Sequence, residues 1–378
     1  MSERHDVAVI GGGAVGLHLA CLLAQRGLDV VVLERRHAPS LSSRAIGIHP
    51  PGLAALDAVG VGDAVRAEAV AIHRGVALAR GRVLASLPFE DAPVRALPQH
   101  RTEALLRERL AALAPGSLRA PAELAALRER PDGVELEVRE PAGTTHVAAS
   151  WAVGADGIRS TVRTLLAMGL RERPGTGAYA MADARDDTVP AGTALLHLEA
   201  DGIVESFPLP AGARRWVARL AAPEPDMDAV TLQRILDERL REPPALPVDA
   251  PTSAFVARQR LASRFARGRV ALVGDAAHEV SPIGGQGMSL GWLDALELDR
   301  AIATADGGSR SAASEPFAVY ERARRRAALR ATRRAAWNMT MGSPAHGLRL
   351  AARHSLVRVL AVPPARSAMV AAFTMRGL

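Results

Sequence analysis

Hydrophobic and polar positions follow different periods in different stretches of the chain, and each period predicts an element. Val7-Ala8-Val9-Ile10 is an unbroken apolar run, the pattern of a parallel strand buried on both faces. A glycine turn follows at once. From Ala14 to Gln25 the apolar positions recur at helical spacing, and Gly27 stands just past the end, where a left-handed cap is needed. A second apolar run, Val30 to Leu33, closes at Glu34. The order strand, turn, helix, strand is that of a βαβ unit.

The middle of the chain reads differently. From about Val70 to Leu87, and again from Ala178 to Leu261, short apolar segments alternate with turn residues, as in Ala194 to Leu198, Ile203 to Phe207 and Arg215 to Leu220. That pattern is strand-rich. Between these blocks the spacing predicts a helix over 102–113 and strands over 134–138 and 147–153. Helix and strand alternate again from Arg269 to Val273 and through a helix from about Gln286 to Ala303. The expected fold is α/β: a Rossmann-like domain assembled from residues 1–69, 98–170 and 262–340, and a C-terminal helical segment over 341–378. A mostly antiparallel sheet domain, residues 70–97 and 171–261, is inserted.

Composition narrows the chemistry. The chain has 378 residues, 48% of them hydrophobic, enough for two cores. No run of about eighteen uncharged apolar residues occurs, and the polar Glu3-Arg4-His5-Asp6 precedes the first apolar stretch, so neither a spanning helix nor a signal peptide is expected and the location expected is cytoplasmic. Cys21 is the single cysteine, which excludes an internal disulfide and any multi-cysteine metal or iron–sulfur site. Its expected place is the core of the first helix. His49, His73, His100 and His146 show no metal-ligand spacing, so no metal is expected. All 47 basic residues are arginine, which excludes a lysine Schiff base, a lysine base and a phosphate-loop lysine.

The net charge of +7 is spread along the chain except at Arg322 to Arg334, and the chain has only four Trp, two Tyr and six Phe. Nucleic acid is therefore not an expected partner. Arg322, Arg326, Arg330 and Arg333 fall on one helical face; a solvated face is the ordinary reading and peripheral attachment to an anionic bilayer the alternative.

Three segments carry the candidate chemistry. In the first, Gly11 allows a tight turn, Gly13 lets backbone approach a pyrophosphate, and Gly16 lets the helix pack on the strand. Ala14 and Val15 open that helix, whose free N–H groups favour an anion. Glu34 is placed to accept from ribose hydroxyls and disfavours a 2′-phosphate, so FAD and NAD fit this pocket better than NADPH. In the second segment, Asp156-Gly157 follows a strand ending at Ala155. In the third, a buried strand ends at Gly274-Asp275, and a proline and glycine loop through Pro282-Ile283-Gly284-Gly285 leads into a helix start at Gly287-Met288-Ser289. Asp275 can hold the hydroxyls of an extended polyol, and the helix dipole directs positive charge beyond it. FAD has such a polyol in its ribityl chain; NAD has none.

Together and in this order, the segments resemble those of the FAD-dependent aromatic hydroxylases, the para-hydroxybenzoate hydroxylase-like monooxygenases. The resemblance spans nearly the whole chain and is least specific in the inserted sheet. It implies that Gly11, Gly13, Gly16 and Glu34, with Ala14, Val15 and Arg35 beside them, hold the ADP half of FAD. It implies that Asp156 and Gly157 serve FAD and NAD(P)H, and that Gly274 and Asp275 hold the ribityl. Arg44 resembles the family's arginine that reaches the FAD phosphates, and Gln99 a glutamine near the ribityl, with Arg101 close by. Pro282, Gly284 and Gly287 are expected around the flavin ring, with Met288 and Ser289. Ser289 stands where family members often carry Asn. Related flavin halogenases use a catalytic lysine and a tryptophan-rich motif, both absent here.

The resemblance further implies that NAD(P)H reduces FAD and that O2 reacts to a flavin C4a-hydroperoxide. One oxygen then passes to an electron-rich aromatic or polyketide-like substrate. The inserted sheet would roof the substrate, which makes His197, Phe207, Pro208 and Trp216 candidate contacts. His278, next to the flavin aspartate, has either a structural or an acid–base role. Two alternatives stand beside this reading: a hydride-transferring flavoenzyme similar to the prenyl reductases, and a non-catalytic flavin-fold protein that shelters an intermediate.

Overall fold

A computed structural model describes residues 3–39, 45–89, 91–306 and 314–376. Arg44 therefore lies outside the described residues. The glycine turn joins Glu3–Ile10 to the helix Ala14–Gln25. The strand Glu3–Ile10 runs parallel to Val30–Leu33 on one side and to Gly143–Gly154 on the other. Flanked on both edges and covered on both faces, Val7 to Ile10 are fully buried or nearly so. Parallel pairing continues from Gly143–Gly154 to Val270–Leu272 and from Val30–Leu33 to Leu118–Arg119, within an eight-stranded sheet. The predicted helix over 102–113 starts earlier, at Gln99, directly after the extended Pro98.

The second large sheet has seven strands in the order 252–257, 177–185, 213–220, 204–208, 193–197, 74–79 and 82–88. All its pairs are antiparallel except Thr193–His197 with Arg74–Ala79. The segments at the expected domain boundaries form two small sheets of their own. Val94–Ala96 pairs with Gly47–Ile48 on one side and Val70–Ile72 on the other, and Arg260–Ala262 pairs with Leu170–Glu172 on one side and His278–Glu279 on the other. Each small sheet thus stitches inserted chain to nucleotide-side chain. The helix Ala229–Arg239 packs Leu232 and Leu236 against Trp216 and Ala218 on one face of the seven-stranded sheet. On the other face, Met339 and Val357 of the helices Ser314–Met341 and Gly347–Leu360 join Tyr179, Met181 and Val217. No single helix among the described residues is long and apolar enough to cross a membrane. Arg322, Arg326, Arg330 and Arg333 are exposed, which both readings of that face require.

Cys21 is buried in the core of the first helix, and burial pushes its thiol up to about 12. On the same helix His18 is fully buried, with Nε2 2.8 Å from the Ala55 carbonyl, to which it donates as a neutral ring. Burial lowers its pKa to about 4, outweighing that hydrogen bond. An unfolded His18 titrates near 6.5, so the unfolded chain takes up the proton first. The stability from His18 is present above about pH 6.5 and is lost as pH falls towards 4, by up to about 3 kcal/mol. Urea unfolding should show His18→Gln gaining on the wild type across that window; a pH-independent difference would contradict the assignment.

Candidate active site

The two large sheets and the C-terminal helices enclose one extended cavity of about 1020 Å3. Gly13, Ala14 and Val15 line one end, and the roof strands line the other. Gly11 and Gly16 do not reach it; they make the turn possible. Gly11 has φ of +114° with the backbone of Ala155 against it, and a Cβ on Gly16 would sit 1.9 Å from the Gly11 carbonyl oxygen. Gly13 is the opposite case. Among the described residues a Cβ there would meet only Glu103 Oε1, at 3.8 Å, so its open side faces the cavity. Trp292 ties the turn to the later helix Gln286–Asp306 by donating to the Ala14 carbonyl at 3.0 Å.

Glu34 is buried beside this end but does not line the cavity. Its Oε2 accepts from the Gly12 N–H at 2.8 Å, and Oε1 accepts from the backbone N–H and Nε of Arg36. Burial opposes the charge, but the Arg36 and Gly12 hydrogen bonds win and hold the carboxyl below its usual range. The carboxylate thus stiffens the turn first. Arg35 is a correction: its side chain points to solvent, and Arg36, fixed by Glu34, is the arginine that lines the cavity. Arg101 is another. It forms a two-point ion pair with Glu68 and lines a separate, smaller cleft. Gln99 does line the main cavity, and its Nε2 donates to Glu103 Oε1 at 2.8 Å.

Asp156 caps the next helix. Its Oδ2 accepts from the N–H groups of Thr161 and Val162, while Oδ1 is buried without a partner among the described residues. Burial raises its pKa, against the pull of those hydrogen bonds. The cavity wall here is formed by Ala155, Gly157 and Ile158, and Gly157 has φ of +75° with open space where a Cβ would be. Gly274, likewise behind the wall, has φ of +58° and packs on Val15.

Asp275 lines the cavity. Its surface is open to the cavity while protein surrounds it, and this enclosure pushes its pKa up to about 6, with Glu279 and Asp294 adding to the rise and His278 opposing it. Behind it stands a network that sequence reasoning missed. Asp294, fully buried, accepts from the Gly274 N–H at 3.1 Å, from the His278 ring, and from Arg324 Nε at 2.6 Å. Tyr320 donates to the Leu272 carbonyl alongside. His278 is held in this network behind the cavity wall. Burial opposes the Asp294 charge, but His278 and Arg324 outweigh it and keep the carboxyl low. Only the spacing of Asp294 and Arg324 on two helices hints at the pair, and nothing local says that both face inward.

Pro282, Gly284, Gly287 and Met288 all line the cavity, as does Ile283. Gly284 and Gly285 have φ of +94° and +65°. His49 secures this loop by donating from Nε2 to the Gly284 carbonyl at 3.0 Å; burial drives its pKa down to about 4, so the ring is neutral. Ser289 is a correction, since it faces away from the cavity. It is fully buried, its Oγ accepts from the His49 N–H, and a Cβ on Gly52 would come within 2.4 Å of that oxygen. The serine locks His49 to the helix in a space too small for a longer side chain.

The roof divides the substrate candidates by strand parity. Phe207 lines the cavity. His197, Pro208 and Trp216 do not: His197 and Trp216 turn to the opposite face, where their rings lie 6.2 Å apart and Trp216 joins the core under Ala229–Arg239. The cavity-facing set instead includes Leu196, Glu205, Val217 and an Arg215–Asp183 pair at 2.7 and 2.8 Å. Asn338, Trp337 and Phe373 of the C-terminal helices complete the wall. That helical segment carries no site expectation from sequence.

Residues 4–335 match the family described as FAD binding domain. The 12-dehydrotetracycline 5-monooxygenase/anhydrotetracycline 6-monooxygenase of Streptomyces rimosus is 33% identical over 85% of this chain and 67% of its own length. The 6-methylpretetramide 4-monooxygenase of the same species is 34% identical over 79% of this chain, which spans about half of that relative, 55%. The crystal structure of p-nitrophenol 4-monooxygenase from Pseudomonas putida superposes with a TM-score of 0.87 over 100% of both chains at 27% identity.

The chain belongs to the FAD-dependent aromatic monooxygenase family.

For a member of this family the described residues fit FAD. The turn presents a glycine with open space beside it, Arg36 and Gln99 stand along the wall, and Asp275 offers a carboxylate from inside it. The cavity then continues past the loop over 282–288 into the roof, leaving room for a second molecule beside the cofactor.

Proposed function

We propose that this FAD-dependent monooxygenase consumes NAD(P)H and inserts one atom of O2 into an electron-rich aromatic or polyketide-like small molecule. The observation that supports it is the continuity of one cavity from the glycine turn, past Asp275, to a mostly apolar roof. Bound FAD, reduced by NAD(P)H, supplies the activated oxygen.

The protein residues supply placement and shielding. Gly13 and the start of the helix Ala14–Gln25 bind phosphate charge, with Arg36 alongside. Asp275 accepts from the hydroxyls of the polyol, held at its height by the Gly274–Asp294 hydrogen bond. The start of the helix Gln286–Asp306 turns its free N–H groups towards negative charge that develops near Gly287 and Met288. His49, neutral and bonded to Gly284, fixes that loop without adding a proton. Leu196, Phe207, Val217 and Phe373 exclude water from the oxygen-transfer space. In this reading the eight-stranded sheet carries the cofactor and the seven-stranded sheet covers the substrate.

Turnover of polycyclic phenols under isotopically labelled O2 tests the assignment. One labelled oxygen per product, with matching NAD(P)H consumption, is expected. Oxidation or reduction of substrate without label would mean hydride transfer only, and negligible NAD(P)H oxidation across the phenols would mean a sheltering, non-catalytic role.

A further inference from the structure

One charged group on the cavity face of the roof takes no part in holding the cofactor or shielding it. Glu205 sits in the middle of the seven-stranded sheet, 3% exposed, with its carboxylate in the cavity wall. Its direct cross-strand neighbours are Leu196 and Val217, and the next residues outward are Ala77 and Met181. Apart from Glu205 the rung is apolar from Ala85 to Met181, and it ends at Ser253 on the edge strand. Among the described residues no hydrogen bond or ion pair reaches the Glu205 carboxylate.

The charged and titratable groups nearby are engaged with one another. On one side Arg215 pairs with Asp183, and on the other Arg219 donates to the Tyr179 hydroxyl at 3.2 Å. The Tyr179 hydroxyl is pushed up to about 12, chiefly by burial and in part by Glu205, which places the two within electrostatic reach. The C-terminal helices contribute only neutral residues to the cavity, among them Trp337, Asn338, Met341 and Val357, and the flavin-side loop contributes Ile283, which shares a cluster with Met181 and Val217. Glu205 therefore lies in the part of the roof that packs towards the flavin-side loop.

A lone carboxyl in an apolar wall costs stability, since an apolar residue of similar size would avoid the desolvation. The fold gains nothing from it, so its presence points to a ligand. We propose that Glu205 accepts the proton of an aromatic hydroxyl on the substrate and thereby selects phenols over their ethers. This rests on the monooxygenase reading. The phenolic O–H bond breaks, the proton moves to the Glu205 carboxylate, and the electron pair stays on the ring oxygen. That pair enriches the ring for attack by electrophilic oxygen; the proton returns when the hydroxylated product leaves. Burial raises the Glu205 pKa to about 7, which suits a base working near neutrality.

Binding of 1-naphthol and of its methyl ether to the FAD-loaded protein, read from the flavin absorbance, tests this without turnover. The wild type should prefer naphthol at least about tenfold, and the preference should grow as pH rises through about 7. Glu205→Leu should abolish it. Glu205→Gln should keep a hydrogen-bond acceptor, hence part of the preference, but lose its pH dependence. Equal binding, or none, of the two probes by the wild type overturns the proposal, as does a preference that survives in Glu205→Leu. Labelled-oxygen incorporation is scored separately. An intact preference without labelled product would refute the monooxygenase reading and leave Glu205 as the hydroxyl-recognising group.

Discussion

Asp294→Ala should lower the unfolding free energy by about 3–5 kcal/mol and strip the protein of FAD in the same step. The magnitude follows from removing one member of a buried charged network. Without the carboxylate, the Arg324 guanidinium is left in a dry interior, the His278 ring loses its partner, and the Gly274 N–H is orphaned. The cofactor loss follows from geometry, because the Gly274 N–H bond sets the height of the turn that carries Asp275. Arg324→Met on the Asp294→Ala background should recover part of the stability, since the unpaired cation goes with it. Urea unfolding of the single and double variants, with FAD content by absorbance, reads both effects. A loss under about 1 kcal/mol, or normal FAD content, would show that the network is ornamental.

The same network sets an acid limit. The Asp294 carboxyl is held below its ordinary value, so the stability it contributes is present above about pH 4 and is lost as pH falls through the lower folded-state value. His18 acts earlier, between about 6.5 and 4. Acid loss should therefore come in two stages, the second absent from Asp294→Ala.

Gly16→Ala and Gly13→Ala should separate folding from cofactor binding within one turn. At Gly16 the added methyl would lie 1.9 Å from a backbone oxygen, with no side chain there to yield. Overpacking of this kind costs on the order of 1–3 kcal/mol, so the apoprotein itself should be less stable and FAD affinity should fall roughly ten- to a hundredfold. At Gly13 the methyl meets only the end of Glu103, at 3.8 Å, and φ is −87°, which alanine adopts freely. Apoprotein stability should be unchanged and FAD affinity alone should fall, because the methyl enters the space the pyrophosphate would use. Equal apoprotein stability of the two variants, or undiminished FAD affinity in Gly13→Ala, would contradict this division of roles.

Several features are legible in the residues alone. The run Val7 to Ile10, the turn and the helix to Gln25 form where the periodicity places them, because a strand buried on both faces and a helix with a glycine stop leave local marks. Of the four roof candidates, Phe207 reaches the cavity, and His197, Pro208 and Trp216 do not. Arg35 and Arg36 differ by one position, and at the end of an extended segment one position reverses the direction of the side chain. The motif around Ser289 points to a flavin contact, yet Gly52, more than two hundred residues away in sequence, makes the room that the serine occupies.

The amino-acid sequence by itself determined the first βαβ unit, its glycine turn and the family, since each depends on residues near one another in the chain, whereas the helix Ala229–Arg239 forms inside a stretch that reads as strand-rich. Tertiary structure decided which side of the roof faces the cavity. Its strands are covered on both faces, by the cavity and C-terminal helices on one and by Ala229–Arg239 on the other, so both parities carry apolar residues and alternation does not show which is which. The packing of Met339 and Ile283 against Met181 and Val217 settles it. With that choice made, Glu205 faces the cavity, and His197 and Trp216 turn away from it.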